Sequence, residues 1–175
     1  MHKKSLLCAA VLGLAAPLFA HDTAKDMADA ANNFLGTLNE EQMAKAALQM
    51  DAPERTTWHY IPLPFEGEKM REGLPLSEMR PDQRHLAYAL LSTGLSHDGF
   101  TTALEIMSLE QVLYEIEQDP KRNSEMYYFS IFGKPGSDSW AWTVEGHHLS
   151  MNFTIADGKL SGTPIFFASN PGEVP

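Results

Sequence analysis

An α+β fold, with N-terminal helices packed on an antiparallel sheet formed mainly by the C-terminal half, is predicted by three features of the sequence. Up to about residue 117, apolar residues recur at three- and four-residue steps, the spacing of helices with one buried face. From residue 126 onward that period gives way to aromatic and β-branched runs separated by Pro, Gly and Asp turns. The two kinds of segment are grouped rather than alternated, and no internal repeat joins them.

The first twenty residues, MHKKSLLCAAVLGLAAPLFA, have the layout of a secretory signal peptide: basic Lys3 and Lys4, an apolar run, and a small residue at Ala20. The run is broken by Pro17 and is short for a membrane span. The expected organisation is therefore a signal peptide over 1–20 and a single α+β domain over 21–175, exported to a periplasmic or extracellular location with no stable membrane span after cleavage. Removing the leader removes Cys8, the single cysteine, so no disulfide is available. About 155 residues still suffice for a core without such staples. All 23 acidic residues remain against 11 Lys and Arg, a net charge of −12, which excludes nucleic acid as an expected partner.

Met27, Ala31, Phe34, Leu35 and Leu38 mark a first helix over 24–38, weakened near its end by Gly36. A second, over 40–49, starts at Asn39, and Gln42 completes a capping box. TTWHYIPLPF, 56–65, reads as a strand ended by Pro62 and Pro64. Pro81 suits the first position of the next helix, and Gly94 is placed to stop it in a left-handed turn. Ser96 caps a helix carrying Phe100, Ala103, Leu104 and Met107. Ser108, with Gln111 in the box position, is read as starting another carrying Leu109, Val112, Leu113 and Ile116. Strands follow in MYYFSIFG, WAWTVEG, HHLSMNFTIADG and LSGTPIFFAS, with turns at KPGSDS and Asp157–Gly158.

Alternation changes phase at VEGHHLS. Trp140, Trp142 and Val144 are apolar at even positions, then Leu149, Met151, Phe153 and Ile155 at odd ones. A continuous strand cannot do this without turning its apolar side outward, so a bulge or bend at Gly146 is expected. Such a bend would let Glu145 project beside His147 or His148. Glu145, His147 and His148 are thus the candidate catalytic residues, an imidazole being able to act as acid or base near neutrality. The plain structural alternative is one histidine satisfied in the core and the other solvated. A divalent metal on His147, His148 and His59 is a further candidate, although adjacent strand histidines face opposite ways and zinc needs three or four convergent ligands. A cut after Ala20 would also leave His21 with a free amine, a chelating pair for copper. No cofactor follows from any motif, since no nucleophile elbow, HExxH, P-loop or dinucleotide fingerprint occurs. Trp140 and Trp142 suit either a stacking platform or, more simply, the core. Asn152–Phe153–Thr154 matches a glycosylation sequon.

The phrases TTWHYIP, REGLPLSEMRPDQRHLAYALLSTGLS, ALEIMSLEQVLYEIE, YYFSIFG, WAWTVEGHHLSMNFTIADG and TPIFFASNPGEV together resemble the domain-of-unknown-function 3500 family, DUF3500. The resemblance runs from about residue 55 to the end and implies export but no activity or residue roles. It also implies that the chain carries only the family's N-terminal part, because members usually continue past the stretch seen here as Asn170–Pro171. A missing half would leave an exposed face and favour self-association. Three readings follow: a small-molecule-binding or hydrolytic protein using the His/Glu site, a noncatalytic interaction or structural module, and a metal-binding protein.

Overall fold

The computed structural model describes residues 22–61 and 71–173; the leader, His21, Pro62 and Pro64 lie outside the described residues. Helices α1 (Thr23–Leu35), α2 (Glu40–Ala46), α3 (Pro81–Thr93) and α4 (His97–Glu117) precede four long strands, as the sequence predicts. The strands are β3 (Tyr128–Phe132), β4 (Ser139–Gly146), β5 (Leu149–Ala156) and β6 (Lys159–Phe167), joined at one edge by two-residue β1 (Ala47–Leu48) and β2 (Leu74–Pro75). The sheet runs β1-β3-β4-β5-β6, with β2 also pairing β3; every pairing is antiparallel except β1 with β3.

The start signals operate as read. Asn39 Oδ1 accepts from the Gln42 backbone N–H at 2.9 Å while Gln42 Oε1 accepts from Asn39 N–H at 3.2 Å, the reciprocal box. Pro81 occupies the first turn of α3, and Ser96 Oγ accepts from Gly99 N–H at 3.1 Å to open α4. Asp157 and Gly158 have φ of 50° and 71°, the two left-handed positions of a tight hairpin turn between β5 and β6.

Four expectations are corrected. α2 ends at Ala46 because the next two residues pair with Ile131 and Phe132 instead of continuing the helix. The segment after Ala52 forms a short 3₁₀ turn, Pro53–Thr56, and residues 57–61 run without ladder partners. Gly94 ends α3 in a right-handed conformation, φ −91°, so its value is space: a Cβ there would come within 2.7 Å of the Phe153 ring and 3.0 Å of Trp142. Finally, Ser108 starts nothing. Its hydroxyl donates back to the Glu105 carbonyl at 2.7 Å, and α4 passes through it unbroken.

The helices cover one face of the sheet. Met27, Ala31 and Phe34 of α1, Leu90 and Leu91 of α3, and Ala103 and Met107 of α4 meet Phe129, Ile131, Trp140, Trp142, Val144, Met151 and Ile155. Trp142 stacks on Phe153 with centroids 4.4 Å apart, so both strand tryptophans fill the core rather than offering a platform. The opposite face carries Ser130, Thr143, Glu145, Ser150 and Asn152, all buried. Antiparallel sheets commonly leave that second face to water; here it is polar and covered.

Candidate functional site

His147 and His148 form a two-residue turn between β4 and β5, with Gly146 paired to Leu149. Of the expected bulge or bend, the structure has the bend, a full chain reversal just past Gly146. In a hairpin the partner numbers have a constant sum, and a two-residue loop makes that sum odd. Even residues of β4 therefore lie opposite odd residues of β5, which is the observed change of phase. His148 takes φ +57° at the second turn position. Its backbone N–H donates to the Tyr60 carbonyl at 2.8 Å, and its own carbonyl accepts from Ala168 N–H at 2.9 Å. Three distant segments are thus tied together at the turn.

Gly146 has a packing role. A Cβ there would sit 2.0 Å from Tyr127 Cδ1, so the Tyr127 ring packs directly against the bare backbone. The Tyr127 hydroxyl donates to the His147 carbonyl at 3.0 Å. Burial pushes the Tyr127 phenol well above its ordinary range, keeping it a neutral donor.

The turn sends its polar side chains to different partners. His147, 7% exposed, hydrogen-bonds through Nδ1 to Oε1 of Glu110, which is 3% exposed on the inner side of α4. Arg122 Nη1 stands 3.4 Å from the same ring nitrogen and is itself held by Glu117. Glu145 instead accepts from Ser150 Oγ at 3.3 Å and lies 4.0 Å from Arg71 Nε, with the His59 backbone N–H also donating to it. The carboxylate meeting His147 is therefore Glu110, not Glu145. Burial raises the Glu145 carboxyl from 4.5 to about 7, against the opposing pull of Arg71, Ser150 and His59. Burial, then the neighbouring His147, lowers the pKa of His148, whose ring lies 4.1 Å from that of His147 and whose buried Nδ1 has no partner among the described residues.

A small cavity of about 10 Å³, room for one water molecule, lies between Arg71, Glu110, Lys121, Asn123, Tyr127 and His147. Arg71 is almost wholly buried; its Nη2 donates to the Ile61 carbonyl at 2.8 Å, while Nε has no hydrogen bond among the described residues. With Nδ1 held by a carboxylate, the imidazole presents Nε2 as the nitrogen able to accept a proton. Among the described residues, no group of three or more His, Cys, Asp or Glu side chains is placed to hold a metal ion, the trio His59, His147 and His148 included. Asn152, at the sequon, is buried and donates to the Pro164 carbonyl at 3.3 Å.

Glu110, Arg71 and Arg122 are the residues that sequence reasoning missed. A signal for Glu110 existed: along an unbroken α4 it falls on the buried stripe of Ala103, Met107 and Leu113. A charged residue on an apolar helix face is rarely left unpaired. Starting a new helix at Ser108 hid that alignment.

Among the described residues no helix is long and apolar enough to cross a membrane. Neither a curated protein nor a solved structure matches the chain. The family model described as "Protein of unknown function (DUF3500)" matches residues 20–175. That corrects the expectation of a resemblance confined to the family's N-terminal part and beginning near residue 55, since the match takes in α1 and α2 and nearly the whole chain. The chain belongs to the DUF3500 family.

Proposed function

We propose that this is an exported protein that binds a small molecule at the His147 turn and hydrolyses it, with His147 as general base. The observation that supports the reading is the buried Glu110–His147 pair beside a cavity of one-water size and the guanidinium of Arg71. In the reaction, a water O–H proton passes to His147 Nε2 as the water oxygen bonds to an electrophilic carbonyl carbon. Glu110 fixes the tautomer and balances the imidazolium that forms. Arg71 stabilises the oxygen on which charge develops. The proton then leaves with the departing alcohol or amine as its bond to carbon breaks. Glu145, with a pKa of about 7, is a buried acid able to exchange a proton in the same range.

The test is turnover of a panel of 4-nitrophenyl esters and anilides by the chain from His21 to Pro175. His147→Asn, folded by near-UV circular dichroism, should lower kcat/KM by about 10²–10⁴. Wild-type inactivity across the panel, or an unchanged rate in the variant, refutes the hydrolytic reading. Export rests on the leader sequence; N-terminal sequencing of the processed protein should begin at His21.

One observation favours a second reading, a noncatalytic interaction module. Strand β6 is exposed along most of its length, with Leu160 41% and Ile165 44% accessible. Such an edge is a place for another strand to pair. Sedimentation showing only monomer at high concentration would remove its self-associating form.

A further inference from the structure

On the polar face of the sheet, away from the His147 turn, a second cleft of about 280 Å³ opens between β4, β5, β6 and the stretch Arg55–Trp58. It shares no lining residue with the His147 cavity. Thr143 and Asn152, directly paired across β4 and β5, form its floor with Thr154; Arg55, Trp58 and Pro164 wall it.

The hydrogen bonding of this cleft is incomplete in one direction. Arg55 Nη2 donates to Thr154 Oγ1 at 2.9 Å, and Asn152 Nδ2 donates to the Pro164 carbonyl. Arg55 Nε and Trp58 Nε1 are both shielded from solvent and have no acceptor among the described residues. A buried donor left without an acceptor is destabilising, and a ligand acceptor, reached by a turn of the two side chains toward the cleft they line, would relieve it. Among the described residues no Asp or Glu lines the cleft, and the Arg55 guanidinium is the one formal charge there. In a chain of net charge −10 this is a local exception.

We infer that this cleft is a binding site for a small organic carboxylate, whose oxygens take the Arg55 Nε and Trp58 Nε1 donors and whose apolar body lies against Trp58 and Pro164. A carboxylate is an acceptor-only group with one oxygen to offer each orphaned donor, and its charge matches the guanidinium. A neutral amide brings a single acceptor oxygen and no charge. A tetrahedral oxyanion brings the charge without an apolar body.

The experiment follows the indole N–H resonances in a ¹H–¹⁵N spectrum. The chain has three tryptophans, so Trp58 is assigned by its disappearance in Trp58→Phe. Benzoate is the probe, with benzamide and sulfate as controls. Benzoate should shift the Trp58 indole saturably at millimolar concentration, and neither control should. Arg55→Gln should weaken benzoate at least about tenfold, the loss expected of a charge-assisted hydrogen bond. Arg55→Lys, which keeps the charge without the fork, should fall between the two. His147→Asn should bind benzoate as the wild type does, separating this cleft from the proposed hydrolytic site. No saturable shift up to about 20 mM, an equal shift with benzamide or sulfate, or full affinity in Arg55→Gln overturns the assignment.

Discussion

Glu145→Gln should make folding stability less dependent on pH, by an amount set by where the carboxyl sits. Glu145 is buried with one buried guanidinium at 4.0 Å, one hydroxyl and one backbone N–H as its partners. These do not offset desolvation, and its pKa rises from 4.5 to about 7. The folded carboxyl holds its proton more tightly than the unfolded one. Its favourable contribution is therefore complete below pH 4.5 and is lost as pH rises through about 7. A displacement of that size corresponds to about 3 kcal/mol. Glutamine keeps an acceptor for Ser150 and cannot ionise. The unfolding free energy of Glu145→Gln minus that of the wild type should increase by about 3 kcal/mol between pH 4 and pH 8. Urea titrations followed by the fluorescence of buried Trp140 and Trp142 measure it. His148 acts in the opposite sense: its lowered pKa gives stability that is present above its ordinary value and lost as pH falls, but it is common to both proteins and cancels. A difference constant to within about 0.5 kcal/mol across that range would refute the argument that burial outweighs Arg71.

Gly146→Ala drives a methyl to 2.0 Å from the Tyr127 ring, and the variant should lose at least about 2 kcal/mol in thermal or urea unfolding. In a Tyr127→Ala background that penalty should vanish; an unperturbed single variant would show the ring to be free to move. His147→Ala leaves the Glu110 carboxylate buried without its imidazole and should cost about 3–5 kcal/mol. Replacing Glu110 and His147 together by leucines should recover most of it, which a double-mutant cycle by chemical denaturation measures.

The helical half was readable wherever a local signal sufficed. Asn39–Gln42, Pro81 and Ser96 each satisfy or remove orphan backbone donors within four residues, so no distant contact is needed to see them. The strands after residue 126 and the Asp157–Gly158 turn were equally local. What escaped was set by tertiary pairing. Ala47 and Leu48 leave the helix because Ile131 and Phe132 offer ladder partners more than eighty positions away. At the candidate site, sequence located His147 and His148 but not their geometry, since an odd-sum hairpin and a bulged strand produce the same alternation. The partner of His147 lies thirty-seven residues back on α4, and only recognising one continuous helix would have aligned Glu110 with the buried stripe. Arg71 lies in an irregular stretch and Arg55 in a four-residue 3₁₀ turn, both too short of repeats for periodicity to carry information about direction.

The two-residue length of the His147–His148 loop has a consequence beyond the chemistry of the rings. Deleting either histidine, or inserting one residue beside them, would force β5 to rotate half a turn to keep its ladder with β4. Met151, Phe153 and Ile155 would then face the Arg55 cleft, and Ser150, Asn152 and Thr154 would be driven under the helices. The number of residues in this loop thus decides which side of the sheet is greasy and which is wet. Either histidine can be exchanged for another side chain, but neither can be dropped without turning the third and fourth long strands inside out.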